Sequence, residues 1–294
     1  MKKDKKGKKN KFVINLLIVF SFSVAMVFLY LTLMSYLDKK DAEITAAELQ
    51  SLYHAESATP AATPTATPTE SAAVTPSDIP ITETPSPAPD PTASPVVIAS
   101  QGPTISSDFK DLLMINNDVA GWISISGTHI DYPVLLGDDN EFYLKRDIYK
   151  KETRAASIFM DYRNNVLNLN KNTILYGHNL EDGTMFSELT KYVDHKVRYD
   201  FIKENNIIVF NTIYENMKFE IFSAYVEEVQ GFQYLQTSFK TDQDFLDYVD
   251  TVTKMSLITT NVKVNADDKI LTLSTCNHWF LDSRTVIHAR LITD

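Results

Sequence analysis

Ile270-Leu271-Thr272-Leu273-Ser274-Thr275-Cys276 is a strand-like run that ends on the only cysteine of a 294-residue chain. Its apolar and β-branched side chains suit a pleated, half-buried surface. Two more runs of this kind carry further reactive groups. Arg284 heads Thr285-Val286-Ile287-His288-Ala289-Arg290-Leu291, and Thr173-Ile174-Leu175-Tyr176-Gly177-His178-Asn179, much earlier, carries His178. One cysteine cannot form an internal disulfide. In an exported chain it is either a buried, inert residue or a reactive thiol, and its neighbours decide which.

Enrichment in β-branched and aromatic residues between turn signals predicts eight strands, at about 121–125, 129–135, 155–161, 172–178, 207–212, 218–227, 269–276 and 285–293. Ser126-Gly127 marks a turn between the first two, and Pro133 makes the second an edge or bulged strand. Helices are expected from Ser107-Asp108 through Ile115, around Met185, Phe186, Leu189 and Val193, and over 241–256. In the last, Thr241 and Asp244 have capping-box spacing, and Phe245, Val249, Val252 and Met255 follow at near-helical intervals. These elements predict a mainly β domain: an eight-stranded closed sheet or barrel with a helix between the sixth and seventh strands.

Ahead of this domain the composition changes twice. Residues 1–12 carry seven lysines, and 13–37 carry no charge. An uncharged run of that length can cross a bilayer as a helix, and it is longer than the apolar core of a signal peptide. The reading is an uncleaved single-pass anchor, with a cleaved signal as the minor alternative, a basic cytoplasmic tail, and everything after residue 40 outside the cell. Residues 38–56 are a juxtamembrane stretch that continues the helix briefly. Residues 57–104 hold eleven of the twelve prolines, mixed with Thr, Ser and Ala, and read as a disordered or polyproline stalk. Fully extended, the stalk would reach roughly 150 Å and carry the domain well out from the membrane. The domain at 105–294 has 19 Lys+Arg against 28 Asp+Glu, a net charge of −9. That acidity argues against nucleic-acid binding.

A thiol attacks as its thiolate, and a nearby imidazole or guanidinium raises the thiolate fraction. A histidine can also carry the proton to a leaving amine. Attack on an amide builds an oxyanion that needs fixed donors, and arginine supplies a permanent charge with planar donors. Cys276 as nucleophile, His178 as acid/base and Arg284 as oxyanion or substrate clamp form one consistent set for a cysteine transferase.

Thr272-Leu273-Ser274-Thr275-Cys276 followed by Arg284, together with Tyr176-Gly177-His178-Asn179, resembles a sortase. Gly121-Trp122-Ile123, Ile130-Asp131-Tyr132-Pro133-Val134, Ile158-Phe159-Met160-Asp161-Tyr162-Arg163-Asn164 and Asp182-Gly183-Thr184-Met185-Phe186 are similar to the class B branch, as is the helix at 241–256. The resemblance covers 105–294. It implies a sortase-like barrel and a membrane-anchored transpeptidase of Gram-positive bacteria. Such an enzyme cleaves the C-terminal sorting signal of an exported protein, holds it as a thioester, and passes it to an amine of a peptidoglycan precursor or a pilin lysine. It implies Cys276, His178 and Arg284 in the roles above, and Asn140, Leu144 and Ser274 lining the substrate groove. No cofactor or metal is implied. Two departures stand out: Asn277-His278-Trp279 after the cysteine, where class B members often have acidic residues or Tyr, and a stalk longer than the family norm.

Other residues read as structural. His278 is a rival base two residues from Cys276, but the strand should end first. His288 lies inside the last strand. His54, His129 and His195 lack ligand-like spacing. Arg290 reads as a wall charge, Asp138-Asp139-Asn140-Glu141 as a solvated loop, and Trp122 as core. Competing functions are a pilin polymerase, a non-catalytic wall-binding scaffold on a stalk, and a papain-like protease. The last is disfavoured because the Cys follows the His and ends a strand.

Overall fold

Alternation along Ile270–Asn277 decides where the core lies. Leu271 and Leu273 face inward beside Leu175, Ile287 and Ala289, whereas Ile270 joins a separate apolar cluster outside the wall. This follows from the two-residue period of a strand. The computed structural model describes residues 3–57, 103–228, 234–277 and 283–293. In it the strands are β1 (Val119–Ser124), β2 (Asp131–Leu136), β3 (Ile158–Met160), β4 (Asn172–Tyr176), β5 (Ile207–Thr212), β6 (Asn216–Glu228), β7 (Ile270–Asn277) and β8 (Ser283–Leu291). They close into a barrel in the order β1-β2-β3-β4-β7-β8-β6-β5. The β2–β3 and β4–β7 pairs are parallel, and the other neighbours antiparallel.

All eight predicted strands are present. Pro133 pairs with Trp122 on β1, while the β2–β3 ladder begins only at Val134, so the missing N–H faces no β3 partner. The bulge expected near Pro133 lies instead in β1, between Val119 and Gly121. Gly127 takes φ +76°, as the predicted turn requires. The third strand is shorter than predicted mainly at its start, where Ala156 takes φ +54° and Ser157 Oγ donates to the Arg146 carbonyl.

The helix between the sixth and seventh strands is Asp242–Met255, and its capping box forms as read. Thr241 Oγ1 accepts from the Asp244 amide, and the Asp244 carboxylate accepts from the Thr241 amide, both at 3.1 Å. Phe245, Tyr248, Val249 and Val252 pack on Phe222, Tyr225, Ile270 and Val286, outside the barrel wall. The helix predicted around Leu189 is a 3-10 segment, Ser187–Tyr192, that drops Leu189 and Tyr192 into the barrel core. The first predicted helix splits into a 3-10 turn, Ser107–Phe109, and a short helix, Lys110–Ile115. A helix at Arg198–Glu204 has no counterpart in the sequence reading. It buries only Ile202, too little to mark a periodic face.

The N-terminal helix is continuous from Lys3 to Ser57. It holds the predicted membrane run and is long and apolar enough to cross a bilayer. Ile14 to Leu37 is exposed, but Leu49 and Tyr53 are buried against the barrel with Phe109, Leu112 and Trp122. Of the expected stalk, 58–102 lies outside the described residues.

Candidate active site

Backbone register pairs two of the three reactive residues and brings the third to the end of the adjoining strand. In the parallel β4–β7 ladder the last pair is Tyr176 with Ser274, and the Gly177 amide donates to the Ser274 carbonyl at 3.2 Å. Two residues further on come His178, just past the end of β4, and Cys276 on β7. Across the next ladder Cys276 pairs with Arg284. Cys276 and Arg284 are thus neighbours across β7 and β8, near the end of the barrel where β7 stops, and His178 follows just past the end of β4, the strand on the other side of β7. The pairing continues on β6, where Glu227 pairs with Arg284. Directly opposed residues of opposite charge favour each other across antiparallel strands, and Glu227 stands in that position to Arg284. Sequence reading missed Glu227, because nothing local in 216–228 pairs it with a residue so far along the chain.

His178 is held from two sides. Its Nε2 lies 2.8 Å from the Leu144 carbonyl oxygen. A carbonyl only accepts, so Nε2 carries the hydrogen and Nδ1 is left to exchange a proton. Its own carbonyl accepts from the Phe186 amide at 2.9 Å. Gly177 makes this seating possible. A Cβ there would stand 2.7 Å from two Phe186 ring atoms, and that ring is fully buried. Gly177→Ala should cost about 1–3 kcal/mol by overpacking and lower kcat roughly tenfold or more by displacing His178. Thermal unfolding and steady-state kinetics on the same variant check both.

The loop that presents Leu144 is fastened through Asp161. This carboxylate is fully buried and accepts from Arg163 Nε and Nη2 and Tyr176 Oη, each at 2.8 Å, and from Asn140 Nδ2 at 2.9 Å. Burial opposes its ionisation, but these donors outweigh that and hold its pKa below the usual carboxylate range. Asn140 Oδ1 in turn accepts from the Tyr162 amide at 3.0 Å. Asp161 thus ties the 140–144 loop to β4, two residues before His178. The sequence reading quoted Asp161 within a motif without seeing this use of it.

Of the expected groove residues, Leu144 is exposed beside His178 and contacts it through its carbonyl. Asn140 has both polar ends engaged by the Asp161–Tyr162 segment. Ser274 is buried, its Oγ 3.0 Å from Tyr234 Oη. Arg284 is half-buried, and its Nη1 donates to the Ser283 carbonyl at 3.1 Å.

The residues read as structural occupy structural positions. Trp122 is core and donates from Nε1 to Asp131 at 2.6 Å. Asp139 caps its own loop through the Glu141 and Phe142 amides. Arg290 lies near Glu220, at 3.8 Å. His278 and Trp279 lie outside the described residues. His288 is fully buried between Thr272 Oγ1 (2.8 Å from Nδ1) and Tyr225 Oη (3.0 Å from Nε2). Burial pushes its pKa down to about 3. The unfolded chain therefore binds this proton more readily, so stability falls as pH drops from about 6.5 toward 3, by about 2 kcal/mol at pH 5. Urea midpoints at pH 7 and 5 should show that loss, and His288→Asn should flatten it.

The sortase domain family matches residues 123–292. Sortase B of Listeria monocytogenes is 41% identical over 191 residues, covering 64% of this chain and 76% of the relative. Sortase B of Staphylococcus aureus is 40% identical over 190 residues, with the same shares. Among solved structures, sortase B from Bacillus anthracis in complex with AAEK1 superposes with a TM-score of 0.66 at 30% identity, covering 88% of this chain and 100% of that one. The Staphylococcus aureus sortase B–substrate complex gives 0.60 at 39% identity, covering 64% and 86%. With a closed eight-stranded barrel and these relatives, the chain belongs to the sortase family, as a class B cysteine transpeptidase.

Proposed function

We propose that this transpeptidase cleaves the C-terminal sorting signal of exported proteins through a Cys276 thioester and transfers them to a peptidoglycan amine. The observation that carries the reading is the pairing of Cys276 with Arg284 across β7 and β8, with His178 just past the end of the neighbouring β4. The Cys276 thiolate attacks the carbonyl carbon of the scissile bond. The oxyanion that forms is stabilised by the Arg284 guanidinium. On collapse the C–N bond breaks, His178 protonates the departing amine, and the thioester remains. An incoming amine then attacks the thioester, His178 takes its proton, and the thiolate leaves. One amide is exchanged for another, with no oxidant, cofactor or metal.

Leu144 lines the groove at His178, Ser274 and Tyr234 form its floor behind the nucleophile, and Asn140 shapes it through Asp161. The helix over 13–37 anchors the enzyme in the membrane, lysine tail in the cytoplasm and barrel outside, which suits substrates in transit to the wall.

The acceptor is tested by offering the enzyme and a cleavable sorting-signal peptide three amines: a peptidoglycan stem-peptide amine, a pilin-like lysine peptide, and none. Product masses should show transfer to the stem peptide. Preference for the lysine peptide would make it a pilin polymerase instead. Normal surface display in cells carrying only Cys276→Ala would make it a scaffold.

A further inference from the structure

The Pro/Thr/Ser segment reads from sequence as a tether; the residues on either side of it meet on the barrel. The helix that precedes it is docked on the barrel. The Tyr53 ring stacks on Trp122, with centroids 4.3 Å apart and planes within 4°. Asn211 Nδ2 donates to Tyr53 Oη at 2.8 Å, Gln50 donates to the Asp131 carbonyl at 2.9 Å, and His54 Nε2 lies 2.9 Å from the Asp131 carboxylate. Leu49 and Tyr53 are each 4% exposed. The chain that follows the segment returns to the same place. The Ser106 amide donates to the Ile213 carbonyl at 2.8 Å, and the Phe109 ring lies 5.3 Å from Tyr53. Both ends of 58–102 thus meet in one apolar cluster.

A segment that leaves and re-enters one cluster adds nothing to the distance between the barrel and the start of the chain. That distance is set by the helix between Leu37 and Leu49, about 18 Å at 1.5 Å per residue. The barrel reaches further up the helix than Leu49. Arg154 Nη1 donates to Ser35 Oγ at 3.3 Å, within the last residues of the uncharged run. Burial opposes ionisation of Asp182, four residues past His178, but hydrogen bonds from Thr184 outweigh it and hold the carboxyl below the usual range, and Lys39 is near enough to add to that. Arginine at the end of a spanning run matches the polar side of a bilayer interface.

We infer that the barrel is clamped to its own membrane helix through Leu49, Gln50, Tyr53 and His54, so that catalysis takes place at the membrane face, and that 58–102 is an excursion between two docked ends and not a tether. The membrane part of this inference rests on the anchor reading above; the clamp does not.

The test uses the full chain in lipid vesicles, with a specific protease site placed within 58–102. After complete cleavage, the catalytic fragment should stay with the vesicles, and in mild detergent the two fragments should co-elute. Tyr53→Asp, which leaves the barrel sequence intact, should release the catalytic fragment after the same cut. Release from the unsubstituted protein, with the helix left in the vesicles, would overturn the clamp and restore the tether. Retention in Tyr53→Asp would overturn the assigned contacts. If both fragments leave the vesicles together, the clamp stands and the membrane-face placement is overturned with the anchor.

Discussion

Cys276→Ala should abolish both cleavage and transfer, by at least about 10⁴-fold in kcat, because it removes the thiol that holds the acyl chain. The fold should not notice. Cys276 is placed by backbone pairing with Arg284, and that ladder needs no thiol. The barrel core next to it is built from Leu271, Leu273 and Ile287. The expected result is an unchanged unfolding temperature with no detectable product. His178→Ala should also be severe, because it removes the imidazole that carries the proton to and from the amine. Arg284→Lys should be poor as well, since an ammonium cannot reproduce a planar fork of donors. A Cys276→Ala enzyme that still cleaved would place the nucleophile elsewhere.

Asp161→Ala should damage both stability and catalysis, although Asp161 touches no reacting atom. Removing one partner of a buried ion pair typically costs about 3–5 kcal/mol. Here Arg163 is 39% exposed, so water recovers part of that, and about 3 kcal/mol is expected. For a domain of this size the loss lowers the unfolding temperature by about 10 °C. Freed from Asp161, the 140–144 loop should no longer hold the Leu144 carbonyl against His178, and kcat should drop by roughly 10²-fold. Asp161→Asn, which keeps the shape and some of the bonds, should recover stability before activity. Scanning calorimetry and kinetics on the two variants check this. Equal kcat in Asp161→Ala and wild type would show that the loop does not seat His178.

What the chain revealed before folding depended on how local each signal is. Ile270–Cys276 and Thr285–Leu291 declare themselves strands by composition, and Thr241 with Asp244 declares a cap at a distance of three residues. The three reactive residues each stand at or near a strand end, so strand endings alone brought His178, Cys276 and Arg284 onto one list. The parallel β4–β7 register then set Tyr176 level with Ser274, each two residues before His178 and Cys276, and the β7–β8 register paired Cys276 with Arg284. The Asp161 clamp was not legible, because it joins Asn140, Arg163 and Tyr176 from three segments, and a buried carboxylate looks in sequence like any other. Glu227 was hidden for the same reason. The docking of Tyr53 on Trp122 was the least visible. Its two partners are separated by the proline-rich stretch, and a composition that strange invites the reading of a spacer.

The most direct measurement is the intact mass of the full-length enzyme after brief exposure to sorting-signal peptides without an amine acceptor. The account predicts a single adduct equal to the N-terminal part of one cleaved peptide. It should map to Cys276, be labile to hydroxylamine, and be lost when a stem-peptide amine is added, with the transfer product appearing in step. A cleaved peptide with no adduct, or an adduct on any residue other than Cys276, would contradict it.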